Sequence, residues 1–229
     1  MDRLEVKPLL IRQLETYIRE PINCLTHLLG AVLSLIGMIA LLMLSWGEPL
    51  HLISFAIYGM SSILLYMASS HLHGLRVSPE RRRFFLRLDH IGIFSLIAGS
   101  YTPLALITLK EQSPTFGWIF FSLVWVLAII GMVFKLRFLD TTHFISTAFY
   151  LLLGWLAIFV LGPLAKALPA DALILMITGG IFYSVGAAIF AFQRPNFYPG
   201  VFGHHELWHL FVLAGGVSHF MVFFLHVAR

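Results

Sequence analysis

A single cysteine, Cys24, interrupts an otherwise thiol-free chain of 229 residues. One thiol excludes an internal disulfide and any cysteine-based metal site, and its simplest reading is a small buried hydrophobe. Charge is scarce too: 11% of the residues are Asp, Glu, Lys or Arg, against about 25% in typical soluble domains. Low-complexity tracts, internal repeats and domain linkers are missing as well, so one domain is expected. The first twenty residues hold no short apolar core ahead of a small-residue cleavage site, so no cleavable signal peptide is expected. What remains is apolar, with 59% of the chain hydrophobic and 21 residues Phe. A soluble protein of this size cannot bury that much apolar surface, which leaves an integral membrane protein.

Seven apolar stretches approach the ~20 residues that a bilayer requires, at about 22–46, 51–72, 88–109, 116–135, 144–166, 171–192 and 205–227. Gly47-Glu48-Pro49, Ser113-Pro114-Thr115 and Arg194-Pro195-Asn196 punctuate the connections as turns. The expected fold is therefore all-α: residues 1–21 form an amphipathic or irregular cytoplasmic arm, and residues 22–229 a seven-helix transmembrane domain. The net charge of +4 and isoelectric point near 9.4 do not imply nucleic acid, because the basic residues lie between apolar segments. Twelve of the fifteen Lys and Arg residues fall on one side of the membrane, and Lys110, Lys166 and Arg229 on the other. The positive-inside rule then puts the N-terminus in the cytoplasm and the C-terminus outside.

The costly polar groups gather at one end of this topology. Glu20, Asn23 and His27 start the first span, His71 and His73 end the second, Asp89 and His90 start the third, and His204, His205, Glu206 and His209 start the seventh. Four helices thus place ionisable groups at one depth in the cytoplasmic leaflet, which argues for one shared site. His205 and His209 lie four residues apart, so both imidazoles project from one helix face and can grip a single metal ion. With Glu206 between them they spell H-E-x-x-H, in which a protease would use the Glu as base. That reading needs a carboxylate ligand on a later helix, and no apolar segment follows the seventh. Glu206 either serves the site or faces away and bonds a neighbouring helix. His71 and His73 point to opposite sides of their helix, and the face shared by Tyr66, Ser69 and His73 favours His73. Asp89 is a candidate fourth ligand, directly or through a water. His219, about 40° from the His205 stripe, reads as a residue that bonds across the bundle. His27 and His90 read as residues that orient a neighbour, and Glu20, Asn23, His27 and Gly30 share a fan that suits a polar network or close packing.

Several of these residues together resemble a known family. They are Glu20-Pro21 with Asn23, Thr26, His27 and Gly30; Ser69-x-x-x-His73; Leu88-Asp89-His90 with Gly99-Ser100-Tyr101-Thr102-Pro103; and His205-x-x-x-His209 with His219. The pattern resembles the haemolysin III branch of the progestin and adipoQ receptor superfamily, which includes the adiponectin receptors, and it covers essentially the whole chain. The resemblance implies a Zn²⁺ ion held by His73, His205 and His209 near the cytoplasmic face. It also implies Asp89 as partner of the water beside the ion, with Ser69 next to it. The second helix departs from the family's pattern in reading Ser-Ser-His-Leu-His, and the family does not require Glu206.

Three functions are compatible with these residues. The first, supported mainly by ceramidase-like activity in relatives, is a zinc-dependent hydrolase of a lipid amide or ester in membrane lipid homeostasis, with Asp89 moving the proton. The second is a sensor or regulator of membrane lipids in which zinc is structural. The third is a pore, which ranks last because a channel needs polar groups along the whole membrane depth. The expected partners are the lipid bilayer and a lipid substrate, with no nucleic acid and with a homo-oligomer left open.

Overall fold

The structure, a computed structural model, describes residues 7–228. It is helical throughout, the described residues adding only an isolated bridge between Tyr198 and Phe202. A short amphipathic helix, α1 (Leu9–Tyr17), leaves Leu9, Leu10 and Tyr17 exposed. Residues 1–6 of the arm expected from the sequence lie outside the described residues. Seven helices long and apolar enough to cross a membrane follow. They are α2 (Pro21–Leu44), α3 (Pro49–Gly74), α4 (Pro79–Gln112), α5 (Pro114–Arg137), α6 (His143–Ala167), α7 (Ala170–Phe192) and α8 (His204–Val227).

Local chemistry sets where these helices begin. Proline opens α2, α3, α4 and α5, at a position whose N–H would have no helical partner anyway. Ser78, Ser113 and Thr142 cap α4, α5 and α6 by accepting from the N–H three residues on. The third span starts nine residues earlier than its apolar stretch. Its first turns, Pro79 to Arg87, hold four Arg with Glu80 and Leu86, good helix formers in a stretch too charged to show up in a search for apolar length. Near the far end Pro103 offers no N–H, and the helix widens into a π stretch over Leu104–Leu109.

Packing follows burial. In α4, 83% of the apolar window is enclosed, against 22% in α7, so α4 is the inner helix. α3 lies against α2 and α4, α8 against α2 and α7, and α6 against α4 and α7, while α5 flanks α4 and α6 from outside. The outer faces carry Val32, Ile36, Ile119, Ile130, Ile174 and Ile181, as lipid-facing surfaces require. α3 and α4 meet closely at Gly92, where a Cβ would stand 2.6 Å from the Cα of Leu65. Because successive spans run antiparallel, the starts of α2, α4 and α8 and the end of α3 share one end of the bundle.

Candidate metal centre

His73 occupies the last turn of α3, and His205 and His209 the first turns of α8. Three contacts bring the two helices together. The N–H groups of Arg19 and Glu20 donate to the carbonyls of Gly74 and His73, fixing the entry to α2 over the end of α3. Glu206 takes Gly203 N–H on one carboxylate oxygen and the Asn23 amide on the other, at 2.7 and 2.8 Å, fixing α8 to α2. The imidazole centroids of His73, His205 and His209 then stand 4.9 Å apart in every pair. One ligand nitrogen from each lies within 4.8 Å of the others. His73 and His209 are buried and His205 is half-buried.

The hydrogen bonds settle which nitrogens are free. Nδ1 of His73 faces a carboxylate oxygen of Glu20, an acceptor only, so Nδ1 carries the proton and Nε2 keeps its lone pair. Nδ1 of His209 lies 3.2 Å from the carbonyl oxygen of Asn23, which fixes the same tautomer. Nε2 of His205 stands 3.2 Å from Nε2 of His73. Two basic nitrogens this close require a proton or a cation between them. The spacing matches the roughly 3.3 Å edge of a tetrahedron with Zn–N bonds of about 2.0–2.1 Å. Three neutral imidazoles, two with the far nitrogen tied to an oxygen acceptor, make the donor set that a zinc ion takes. The residues fit the ion.

Glu20 lies just outside the first span. Burial alone would raise its pKa, but the hydrogen bond from His73 and the Arg19 guanidinium beside it hold it below the usual carboxylate range. Arg19 reaches the second Glu20 oxygen at 2.8 Å and the carbonyl of Leu72 at 2.6 Å. A carboxylate that stays ionised behind a ligand imidazole orients the ring and raises its basicity.

The remaining candidates divide. His71 donates Nδ1–H to the carbonyl of Met67 at 2.6 Å and stacks on Phe85, away from the cluster. Asp89, about three turns into α4, is half-buried beside Ser69 and His73. It does not come within 4.8 Å of all three imidazoles, so the three histidines form the group without it. Glu206 is spent on the α2–α8 clamp. His219 bonds across the bundle to the carbonyl of Met176 at 3.3 Å, and His90 holds the Tyr150 hydroxyl at 2.7 Å. His27 stacks face to face on His209, centroids 3.6 Å apart. In the sequence, Glu20 and Asn23 are only two members of an undifferentiated polar fan. The available signal was chemical: a histidine ligand needs an acceptor behind it, and Glu20-Pro21 stands at the mouth of a span that starts beside His73.

An apolar cavity of about 170 Å³ lies inside the bundle, and none of the three histidines lines it. It begins at Trp208 and Val212, which flank His209 along α8, and runs past Leu65, Tyr150 and Ile97. Trp155, Ile158 and Ile177 on its wall are also exposed on the outer surface of α6 and α7.

Comparison with known proteins agrees with this arrangement. The chain is 37% identical over 214 residues to Hemolysin-3 of Bacillus cereus, covering 92% of this chain and 93% of that one. It is 36% identical over 201 residues to the Hemolysin-3 homolog of Bacillus subtilis strain 168, covering 86% and 89%. A more distant likeness, 25% over 217 residues, links it to the human monocyte to macrophage differentiation factor, covering 90% and 84%. The profile of the haemolysin-III-related family matches residues 15–220, from α1 to the later turns of α8, and this multi-pass membrane protein belongs to that family.

Proposed function

We propose that the chain is a zinc-dependent hydrolase of lipid amides or esters. The observation that carries the proposal is the gathering of three imidazoles with an acid beside them, in a bundle that also holds an apolar cavity walled in part by Trp208 and Val212 of the same helix as His205 and His209. His73, His205 and His209 hold the ion. When bound, zinc supplies Lewis acidity that polarises a carbonyl and makes water acidic enough to attack it at neutral pH.

The protein's own groups do the rest. Asp89, beside Ser69, accepts the proton of the attacking water and returns it to the leaving nitrogen or oxygen. Ser69, buried on the same face of α3 as His73, orients that carboxylate. The cavity takes an acyl chain entering sideways between α6 and α7 and excludes water from it. Arginine-rich connections at the cluster's end support a position in the cytoplasmic leaflet of a bacterial inner membrane.

The test is release of fatty acid from N-acyl and O-acyl lipids by purified protein, comparing wild type with Asp89→Ala. The substitution should lower turnover by about 10²–10⁴-fold while leaving metal content unchanged. Turnover untouched by Asp89→Ala sinks the hydrolase and leaves a lipid sensor with structural zinc. The relatives are named for haemolysis, and the name is theirs alone. A pore here would need polar groups along its depth, whereas the inner helix packs Phe94, Leu96, Ala98, Leu104 and Ile107 into the core.

A further inference from the structure

Outside the imidazole cluster, the same end of the bundle carries an open hollow lined by Arg19, Glu20, Leu75, Arg76, Val77 and Arg82. We propose that this hollow is a seat for the phosphate of an anionic phospholipid headgroup. The inference is independent of any hydrolytic activity.

Three guanidinium groups from separate pieces of chain face one space. Arg19 comes from the entry to α2, Arg76 from the α3–α4 connection and Arg82 from the first turns of α4. Guanidinium forks match phosphate oxygens and shed their water more easily than ammonium does. The carboxylate in the hollow offsets only one of them: its oxygens are taken by Arg19 and His73, which leaves the charges of Arg76 and Arg82 for a ligand. The nearby Glu15 side chain is taken by Lys7 at 2.6 Å. Nε of Arg19 is buried without a hydrogen-bond partner among the described residues, so the fork has a donor to spare. Arg82 is exposed and free to swing over the hollow.

The surroundings select a lipid over a free anion. Leu75 and Val77 make part of the wall apolar. Helix α1 borders the hollow, because Arg76 donates to the carbonyl of Glu15, and it exposes Leu9, Leu10 and Tyr17. An amphipathic helix of this kind lies in the headgroup plane of a bilayer, and basic pockets at that level bind anionic headgroups. A seated phosphate would stand one ion pair and one hydrogen bond from His73, through Arg19 and Glu20.

The test is native mass spectrometry of protein released from nanodiscs of equimolar phosphatidylglycerol and phosphatidylcholine. Wild type should retain phosphatidylglycerol in preference to phosphatidylcholine. Arg82→Gln, at an exposed position, should weaken the preference, and Arg76→Gln with Arg82→Gln should lower it on the order of tenfold. Arg194→Gln removes the same charge from an exposed connection outside the hollow and should leave the preference intact. A loss as large in Arg194→Gln would mean diffuse attraction and would overturn the seat. Equal retention of the two lipids by wild type would do the same. Inorganic phosphate added to the nanodiscs should not displace the bound lipid; full displacement would show a site for free phosphate, against the proposal.

Discussion

Glu206 reaches from the first turn of α8 to the amide of Asn23 on α2, at 2.8 Å, and so turns its carboxylate away from the two histidines that flank it in sequence. Its other oxygen closes on Gly203 N–H at 2.7 Å. One side chain therefore caps a helix and pins two helices, and Asn23 passes the tie on by offering its carbonyl to His209. Helix 8 is held in register by a residue that looks catalytic in the sequence and acts as a clamp in the fold.

The clamp predicts a particular phenotype for Glu206→Ala. The variant should lose about 1–2 kcal/mol of stability, the range for a charge-assisted bond shared between membrane helices. Thermal unfolding in detergent reads the loss. A double-mutant cycle with Asn23→Ala should show the two losses to be non-additive, since both remove the same bond. Metal content should stay near that of wild type. If Glu206→Ala instead abolishes lipid hydrolysis in a protein of unchanged stability, the residue is a base and the clamp is incidental.

Metal content distinguishes the histidines. Wild type, purified without chelator, should carry one zinc per chain by elemental analysis. His209→Ala and His73→Ala should each lose it, because two imidazoles hold the ion too weakly to keep it through purification. His71→Ala should keep it, since that ring is bonded to Met67 and stacked on Phe85. Loss of zinc in His71→Ala with retention in His73→Ala would reverse the assignment.

Much of this was legible in the residues, and the boundary of legibility has a physical cause. Spacing within one helix is decided by the helix itself, so the shared face of His205 and His209, and the choice of His73 over His71, follow from 100° per residue. The number of spans follows from the length that a bilayer demands. What a side chain does once a neighbouring helix arrives is not written in its own segment. Glu206 shares the motif's spacing yet bonds Asn23, and Glu20 reads as one member of a polar fan until α2 is seen to start over the end of α3. The early start of α4 escaped for another reason, since its first turns are held by capping and propensity and carry no apolar signal.

Glu20 should tune the metal centre from behind His73. Glu20→Ala removes the acceptor for Nδ1–H and frees the ring to turn, and it should weaken zinc binding by about 10–100-fold, the usual effect of losing such a partner. Glu20→Gln keeps a neutral acceptor and should fall between the two. Competition with a graded series of chelators measures both. Affinity equal to wild type in Glu20→Ala would show that His73 is oriented by packing alone.

Gly92 offers a test of how α4 delivers Asp89. The glycine lets α4 press against α3 at Leu65, four residues before Ser69, while Asp89 lies three residues before Gly92 on the antiparallel neighbour. The close approach is thus one turn from the pairing of Asp89 with Ser69. In Gly92→Ala the new Cβ would stand 2.6 Å from a backbone atom, which cannot swing aside as a side chain can. The helices must separate, at a cost of about 1–3 kcal/mol, and Asp89 must move with α4. Because His73, His205 and His209 lie on α3 and α8, the ion should remain. The expected outcome is a folded, zinc-loaded protein whose turnover falls more than its stability does, measured by fatty acid release beside elemental analysis. Full turnover in Gly92→Ala would show that the position of Asp89 does not depend on the contact between α3 and α4.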